Sequence, residues 1–172
     1  MKLVKLIPVF LLLAGIHLQA QSPELVDLVN SYLDANGSTK QYSDAYDELL
    51  NLMERQFPKS DKNSNGWLYL ERNKTKAIFE IKDMLTAVYL DNFSEKELRG
   101  MSNFYASETG KQLVTDKDKL SESQKAEIKD FYDSDVGLSL TSKQMALTEE
   151  IQAVSELWSR DLYQTASLLL KE

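Results

Sequence analysis

Three sets of residues have the types and spacing to do chemistry. Asp130, Asp133 and Asp135 lie close together, and Glu149 and Glu150 are adjacent; paired carboxylates can divide acid and base work between them. Asp61, Asn63, Asn65 and Gly66 match the first half of an EF-hand calcium loop, with the apolar Leu68 at its eighth position. The phenols of Tyr105 and Tyr132 stand at equivalent places in a repeated motif. A plainer role stands against each. Acidic clusters are common in a net-negative chain, and solvated helix faces or helix N-termini account for them equally well. The calcium loop's twelfth position, which supplies the bidentate carboxylate, is Arg72, with Glu71 one residue early, so the segment reads as an ordinary polar loop. The tyrosines read as buried rings with their hydroxyls at the rim. No catalytic, metal or cofactor-binding residue is assigned, and no cofactor is expected.

What is missing narrows the field further. The 172 residues include no cysteine, which removes disulfides, thiolate metal sites and a Cys nucleophile. The one histidine is His17. It lies in residues 1–20, MKLVKLIPVFLLLAGIHLQA, which have the make-up of a signal peptide: Lys2 and Lys5, an apolar run over residues 6–16, and Leu18-Gln19-Ala20 as the exit for signal peptidase. Cleavage after Ala20 leaves residues 21–172 as a single helical domain without an imidazole. Ser-His-Asp catalysis, zinc held by imidazole and histidine proton relays then fall away. The expected location is exported, a bacterial periplasm first and the medium second, with no stable membrane insertion after signal cleavage. Without Lys2 and Lys5, the 27 acidic residues outnumber the remaining basic ones by nine. Such a surface disfavours nucleic acid and anionic lipid.

The elements that must position these residues are helices. Apolar residues recur at three- and four-residue spacing, and after Pro23 the only proline is Pro58. A first helix starts at Pro23-Glu24, with Leu25, Leu28, Val29 and Tyr32 on one face, and Asn36-Gly37 ends it. A second carries Tyr42, Tyr46, Leu49 and Met53 and stops at Pro58. Residues 59–66, KSDKNSNG, read as a loop. A helix of about six or seven turns then steps through Trp67, Leu70, Ile78, Ile81, Leu85 and Val88. Another long one runs through Leu147, Ile151, Val154, Trp158 and Leu162 nearly to Glu172.

Between the long helices the sequence repeats. Residues 93–114 align with residues 120–141, and both contain Phe-Tyr-x-Ser-x-x-Gly-x-x-Leu: Phe104, Tyr105, Ser107 and Gly110 in one copy, Phe131, Tyr132, Ser134 and Gly137 in the other. Upstream, Ser94 precedes Glu97 and Ser121 precedes Gln124 by three residues, the spacing of a capping box. Phe93 and Leu98 are placed to form a hydrophobic staple, which the second copy lacks because Lys125 stands there. The capped helices point Leu98, Met101 and Tyr105 inward in one copy and Ile128, Phe131 and Tyr132 in the other. Ser107 and Ser134 then cap new helices, with Glu108 and Asp135 favoured by the helix dipole at the first position. Gly110 and Gly137 fall inside those helices, where glycine costs about 1 kcal/mol relative to alanine. A residue that costly permits close approach, and the Phe-Tyr pair is the candidate neighbour. Each copy is a helix–corner–helix unit.

Residues 81–114 resemble the bacterial family DUF2059, whose pattern is a Tyr ahead of a Phe-Thr/Ser-x-x-Glu-Leu cap and then Phe-Tyr-x-Ser-Pro-x-Gly-x-x-Leu. Tyr89, Phe93, Ser94, Glu97, Leu98, Phe104, Tyr105, Ser107, Gly110 and Leu113 match. The family's proline after the serine is Glu108 here and Asp135 in the second copy. The resemblance implies an exported helical protein with a family core over about residues 81–141. The family has no established activity, so it implies a fold and no function.

The fold expected is all-α: an irregular bundle of about five to seven helices with two capped helix–corner–helix repeats. The leading functional expectation is a non-enzymatic domain that binds an envelope protein or assembles with itself. The alternative is a small-ligand or lipid-binding domain whose aromatic corners line an apolar groove. A cavity beside Phe104 and Phe131 favours the second; solid packing there with apolar surface elsewhere favours the first.

Overall fold

The computed structural model describes residues 22–171; the signal-peptide reading falls on residues outside that range. Among the described residues seven α-helices follow one another: α1 Pro23–Ala35, α2 Ser38–Gln56, α3 Ser64–Asn92, α4 Glu95–Ala106, α5 Glu108–Thr115, α6 Glu122–Asp133 and α7 Asp135–Leu170. A 3-10 turn, Lys117–Lys119, joins α5 to α6. No strand occurs among the described residues. The all-α bundle expected from the periodicity is the fold observed.

Local chemistry sets most boundaries. Pro23 opens α1, where its missing N–H costs nothing. At its end the chain turns through Gly37, at φ +85°, the left-handed conformation that favours glycine. The Asn36 side chain accepts from the Ser38 N–H at 2.9 Å, and Asp34 accepts from Lys82 of α3 at 2.7 Å, so this turn is tied to the core helix. After Pro58, Asn63 closes the next loop, accepting from the Ser60 N–H and donating to the Pro58 carbonyl.

One boundary differs from the sequence reading. Residues 59–66 are not all loop, because α3 begins at Ser64. The reason is tertiary. A Cβ on Gly66 would lie 2.4 Å from the carbonyl oxygen of Leu169, so this glycine lets the first turn of α3 sit directly on the end of α7. Close packing there outweighs poor helix propensity. The same fact removes the calcium loop, since Asn65 and Gly66 are helical and the Asn63 side chain is spent on the turn.

The α3 and α7 helices run antiparallel through the middle of the molecule, and their contact is the broadest in it. Trp158 Nε1–H donates to the Ala77 carbonyl at 2.9 Å, and Lys143 near the start of α7 reaches the Asn92 carbonyl at the end of α3. The helix that Ser134 opens and the amphipathic stretch from Leu147 are one helix of 36 residues, about 54 Å long at 1.5 Å per residue. Neither Gly nor Pro occurs after Gly137 to break it. The main core gathers Val29, Leu33, Tyr46, Ile81, Leu85, Leu98 and Met101 from four helices; each such side chain contributes roughly 1.5–3 kcal/mol by leaving water. A smaller cluster of Met53, Trp67, Leu70, Ala166 and Leu170 closes the end where α3 begins and α7 stops.

Candidate functional site

Each corner is a single residue between two helices. Ser107 lies extended between α4 and α5, at φ −68° and ψ 164°. Its hydroxyl donates to the Phe104 carbonyl at 2.6 Å and accepts from the Gly110 N–H at 3.0 Å. One side chain therefore gives a second donor to the Phe104 carbonyl, which also accepts from the Ser107 N–H at 3.1 Å, and caps an orphan amide of the new helix. Ser134 repeats both contacts, with Phe131 at 2.6 Å and Gly137 at 3.3 Å. The glycines answer a packing need rather than a backbone angle. A Cβ on Gly110 would meet the Phe104 carbonyl oxygen at 2.2 Å and the Tyr105 Cα at 2.6 Å; on Gly137 it would meet Phe131 and Tyr132 at 2.2 and 2.5 Å. It is the backbone of the Phe-Tyr pair, not its rings, that presses on the glycine.

The two corners are brought face to face. Phe104 and Phe131 stack with centroids 3.9 Å apart and planes 6° from parallel, and the Tyr105 and Tyr132 hydroxyls lie 3.3 Å apart. Each residue meets its own counterpart, the relation of a two-fold axis, here within one chain. Thr109 of α5 adds a bond to Glu127 of α6 at 2.5 Å.

The copies are unequal. In the first, Phe93, Leu98 and Met101 are buried. The second was expected to turn Ile128, Phe131 and Tyr132 inward, yet α6 has no buried residue and these three are half-buried. It packs on α5, on the start of α7 and, through the stacked rings, on the end of α4, and its remaining side stays in water.

The caps differ in the same sense. Glu97 closes its box by accepting from the Ser94 N–H and hydroxyl, each at 2.7 Å, and then reaches α7, where it accepts from Ser139 and from Lys143 at 3.3 Å. These donors, the Ser139 hydroxyl foremost, pull its carboxyl down to about 2. Lys143 also stands 4.7 Å over the Phe93 ring and donates to the Asn92 carbonyl at 2.8 Å. Gln124, its neutral counterpart, closes its own box with Ser121.

Two participants escaped the sequence reading. Tyr32 of α1 packs edge-on against Tyr89 at 5.1 Å and Tyr105 at 5.6 Å, and Tyr89 stacks on Phe93 at 5.9 Å. An apolar stripe identifies Tyr32 as core but says nothing of which rings it meets. Lys143 lies far along the chain from Glu97 and carried no signal. Burial first, and neighbouring tyrosines second, push the phenols of Tyr32 and Tyr105 well above their ordinary value, and burial raises Tyr89 too. Held protonated, these hydroxyls offer no phenolate near neutrality.

The other chemical candidates lie apart. Asp130, Asp133 and Asp135 are exposed; Asp133 pairs with Lys129, and Asp135 opens α7. Glu150 accepts from Asn92 at 2.8 Å. Among the described residues no three His, Cys, Asp or Glu side chains are placed to hold a metal. The stacked rings leave no space between Phe104 and Phe131 for a third group. A recess of about 250 Å³ opens elsewhere, between α3 and α7, over Leu70, Ala77, Met84, Trp158 and Leu162.

Residues 80–123 match the model of the family described as "Uncharacterized protein conserved in bacteria (DUF2059)". The matched span runs from the second half of α3 through the first corner to the first turn of α6, and ends before the second corner. Neither the curated proteins nor the solved structures include a match to the chain.

Proposed function

We propose that this DUF2059 chain is an exported, non-enzymatic helical module that works by binding another protein. The observation that carries the reading is where apolar surface is spent and where it is left over. At the family motif the hydroxyls serve helix ends, the glycines admit backbone and the rings fill one another's space. Outside it, large apolar side chains of the long helices face solvent: Phe79 is 60% exposed on α3, and Met145 78% and Leu168 71% on α7. Such residues are what a partner covers. The signal-peptide composition of residues 1–20 supports export.

Crosslinking in the native envelope, with a photoreactive residue at Phe79, Met145 or Leu168, tests this. Discrete adducts with one protein, absent when the residue sits at exposed Lys40, are expected. Recovery of monomer alone, with lipid bound to the purified protein, overturns the reading.

A further inference from the structure

We infer that the shared face of α3 and α7 receives a basic amphipathic helix of the partner, seating one of its apolar side chains in the recess between them. This rests on the protein-binding reading and names its surface. The recess, about 250 Å³, falls below the roughly 300–1,000 Å³ of sites that enclose a drug-sized ligand. It has the size for an anchoring side chain. Its floor on α3 is Leu70, Ala77 and Met84, seven residues apart, the repeat along which a further helix packs. Two polar groups at that floor are engaged: Trp158 Nε1–H with the Ala77 carbonyl at 2.9 Å, and the Tyr46 hydroxyl with the Leu70 carbonyl at 2.7 Å. The floor itself therefore offers an occupant apolar contact, with the polar side chains at the rim.

The rim decides the occupant's charge. On α3, Arg72, Lys76, Glu80, Asp83 and Asp91 recur at helical spacing on one exposed stripe. On α7 the matching stripe carries Leu157, Asp161 and Leu168, with Asp161 at the recess. The Lys76 ammonium lies 3.8 Å from Glu80 and is thereby offset. Asp161 meets the adjacent Arg160 at 3.6 Å, both well exposed. Asp83 and Asp91 make no ion pair among the described residues. With the two ion pairs cancelling, Asp83 and Asp91 against Arg72 leave the α3 side of the slot with a net excess of one carboxylate. A second copy would set these acids against its own, and a fatty acid or anionic lipid would bring like charge. A helix with Leu or Met on one face and Lys or Arg beside it satisfies both slot and rim.

The test uses the purified protein with Trp67→Phe, so that Trp158 alone reports by fluorescence. The probes are two synthetic helical peptides with the same leucine stripe, one flanked by lysines and its twin by glutamates. The lysine peptide is expected to shift Trp158 emission and to bind at least ~10-fold more tightly than its twin at low salt. The preference should disappear in Glu80→Lys/Asp161→Lys. Binding should be lost in Thr165→Phe, a substitution at an exposed position of the recess, with circular dichroism and melting checking the fold. Equal affinity for both peptides overturns the inference, as does tight binding that survives Thr165→Phe. Concentration-dependent dimers abolished by Thr165→Phe would assign the face to a second copy and overturn it, and Trp158 quenching by a fatty acid alone would do the same. Envelope adducts from Met145 with no peptide preference would sink this inference and leave the protein-binding reading standing.

Discussion

Adding a single methyl group at Gly110 should tell whether the corner is held by backbone contact. A Cβ there would sit 2.2 Å from the Phe104 carbonyl oxygen, whereas an unstrained carbon–oxygen contact is about 3.3 Å. The neighbour must therefore move by roughly 1 Å. It is main chain, and its carbonyl is already bound by Ser107 at 2.6 Å. Gly110→Ala recovers about 1 kcal/mol of helix propensity against an overpacking cost of about 3 kcal/mol, a net loss of about 2 kcal/mol. At ~2–4 °C per kcal/mol for a chain of this size, its Tm should fall by about 4–8 °C. Gly110→Val forgoes most of the propensity gain and adds two methyls, so a fall beyond about 10 °C follows. Gly100→Ala is the comparison. Its Cβ would meet the Val136 side chain at 2.8 Å, which can yield where a carbonyl cannot, and its melting should change much less. The assay is thermal melting followed by helical circular dichroism. If Gly110→Val melted at the wild-type temperature, the close-approach account of the motif would be wrong.

Other perturbations separate the parts of the structure. Gly137→Val meets the same distances, but α6 has no buried residue and can detach, so its loss in Tm should be about half that of Gly110→Val. Glu97, held at about 2 instead of 4.5, contributes stability that is present above pH 4.5 and lost as pH falls toward 2. Allowing for its contact with solvent, Glu97→Gln should cost about 2 kcal/mol at pH 7 in urea titrations, with the gap to wild type closing by pH 2; a gap independent of pH would refute the assignment. Tyr32, Tyr89 and Tyr105 have raised values in the folded chain. Their unfolded counterparts ionise first, so stability should hold up to pH 10 and then fall by about 1.4 kcal/mol per pH unit for each phenol. Absorbance at the phenolate band should rise together with unfolding, and Tyr32→Phe should make the alkaline slope shallower. Ser107→Ala leaves the Gly110 N–H uncapped and takes one of two donors from the Phe104 carbonyl, and should cost about 1–2 kcal/mol in urea, more than Ser121→Ala, which uncaps only the exposed α6.

Those contrasts also mark what the sequence could reveal. The four serine caps are local events, each decided within a few residues, and reading them needs only the spacing of Ser94 to Glu97 or Ser107 to Gly110. The helical period is local too, and the all-α class follows from it. What escaped depends on partners distant along the chain. Gly66 resembles loop chemistry until the end of α7 arrives against it. Lys143 is one charged residue among many until α7 brings it to Glu97 and Phe93. The half-exposure of α6 is only partly hidden: Ile128, Phe131 and Tyr132 repeat the spacing of Met101, Phe104 and Tyr105, and Lys125 in the place of the buried Leu98 is the one local sign of it. The face-to-face stacking of Phe104 on Phe131 was open to the same limit. A repeat announces two similar units, and says nothing about whether they touch.

The one-residue corners have a consequence for how the chain can be cut. A protease must draw several residues into an extended strand, and most helical proteins offer such a stretch wherever the chain reverses. Here the chain changes direction at Ser107 and Ser134 without a loop, the residues on both sides being helical and hydrogen-bonded. The places that can yield are the segments around residues 57–63 and 116–121. A cut in the first would separate α1 and α2 from the rest, and a cut in the second would divide the two corners while leaving each intact.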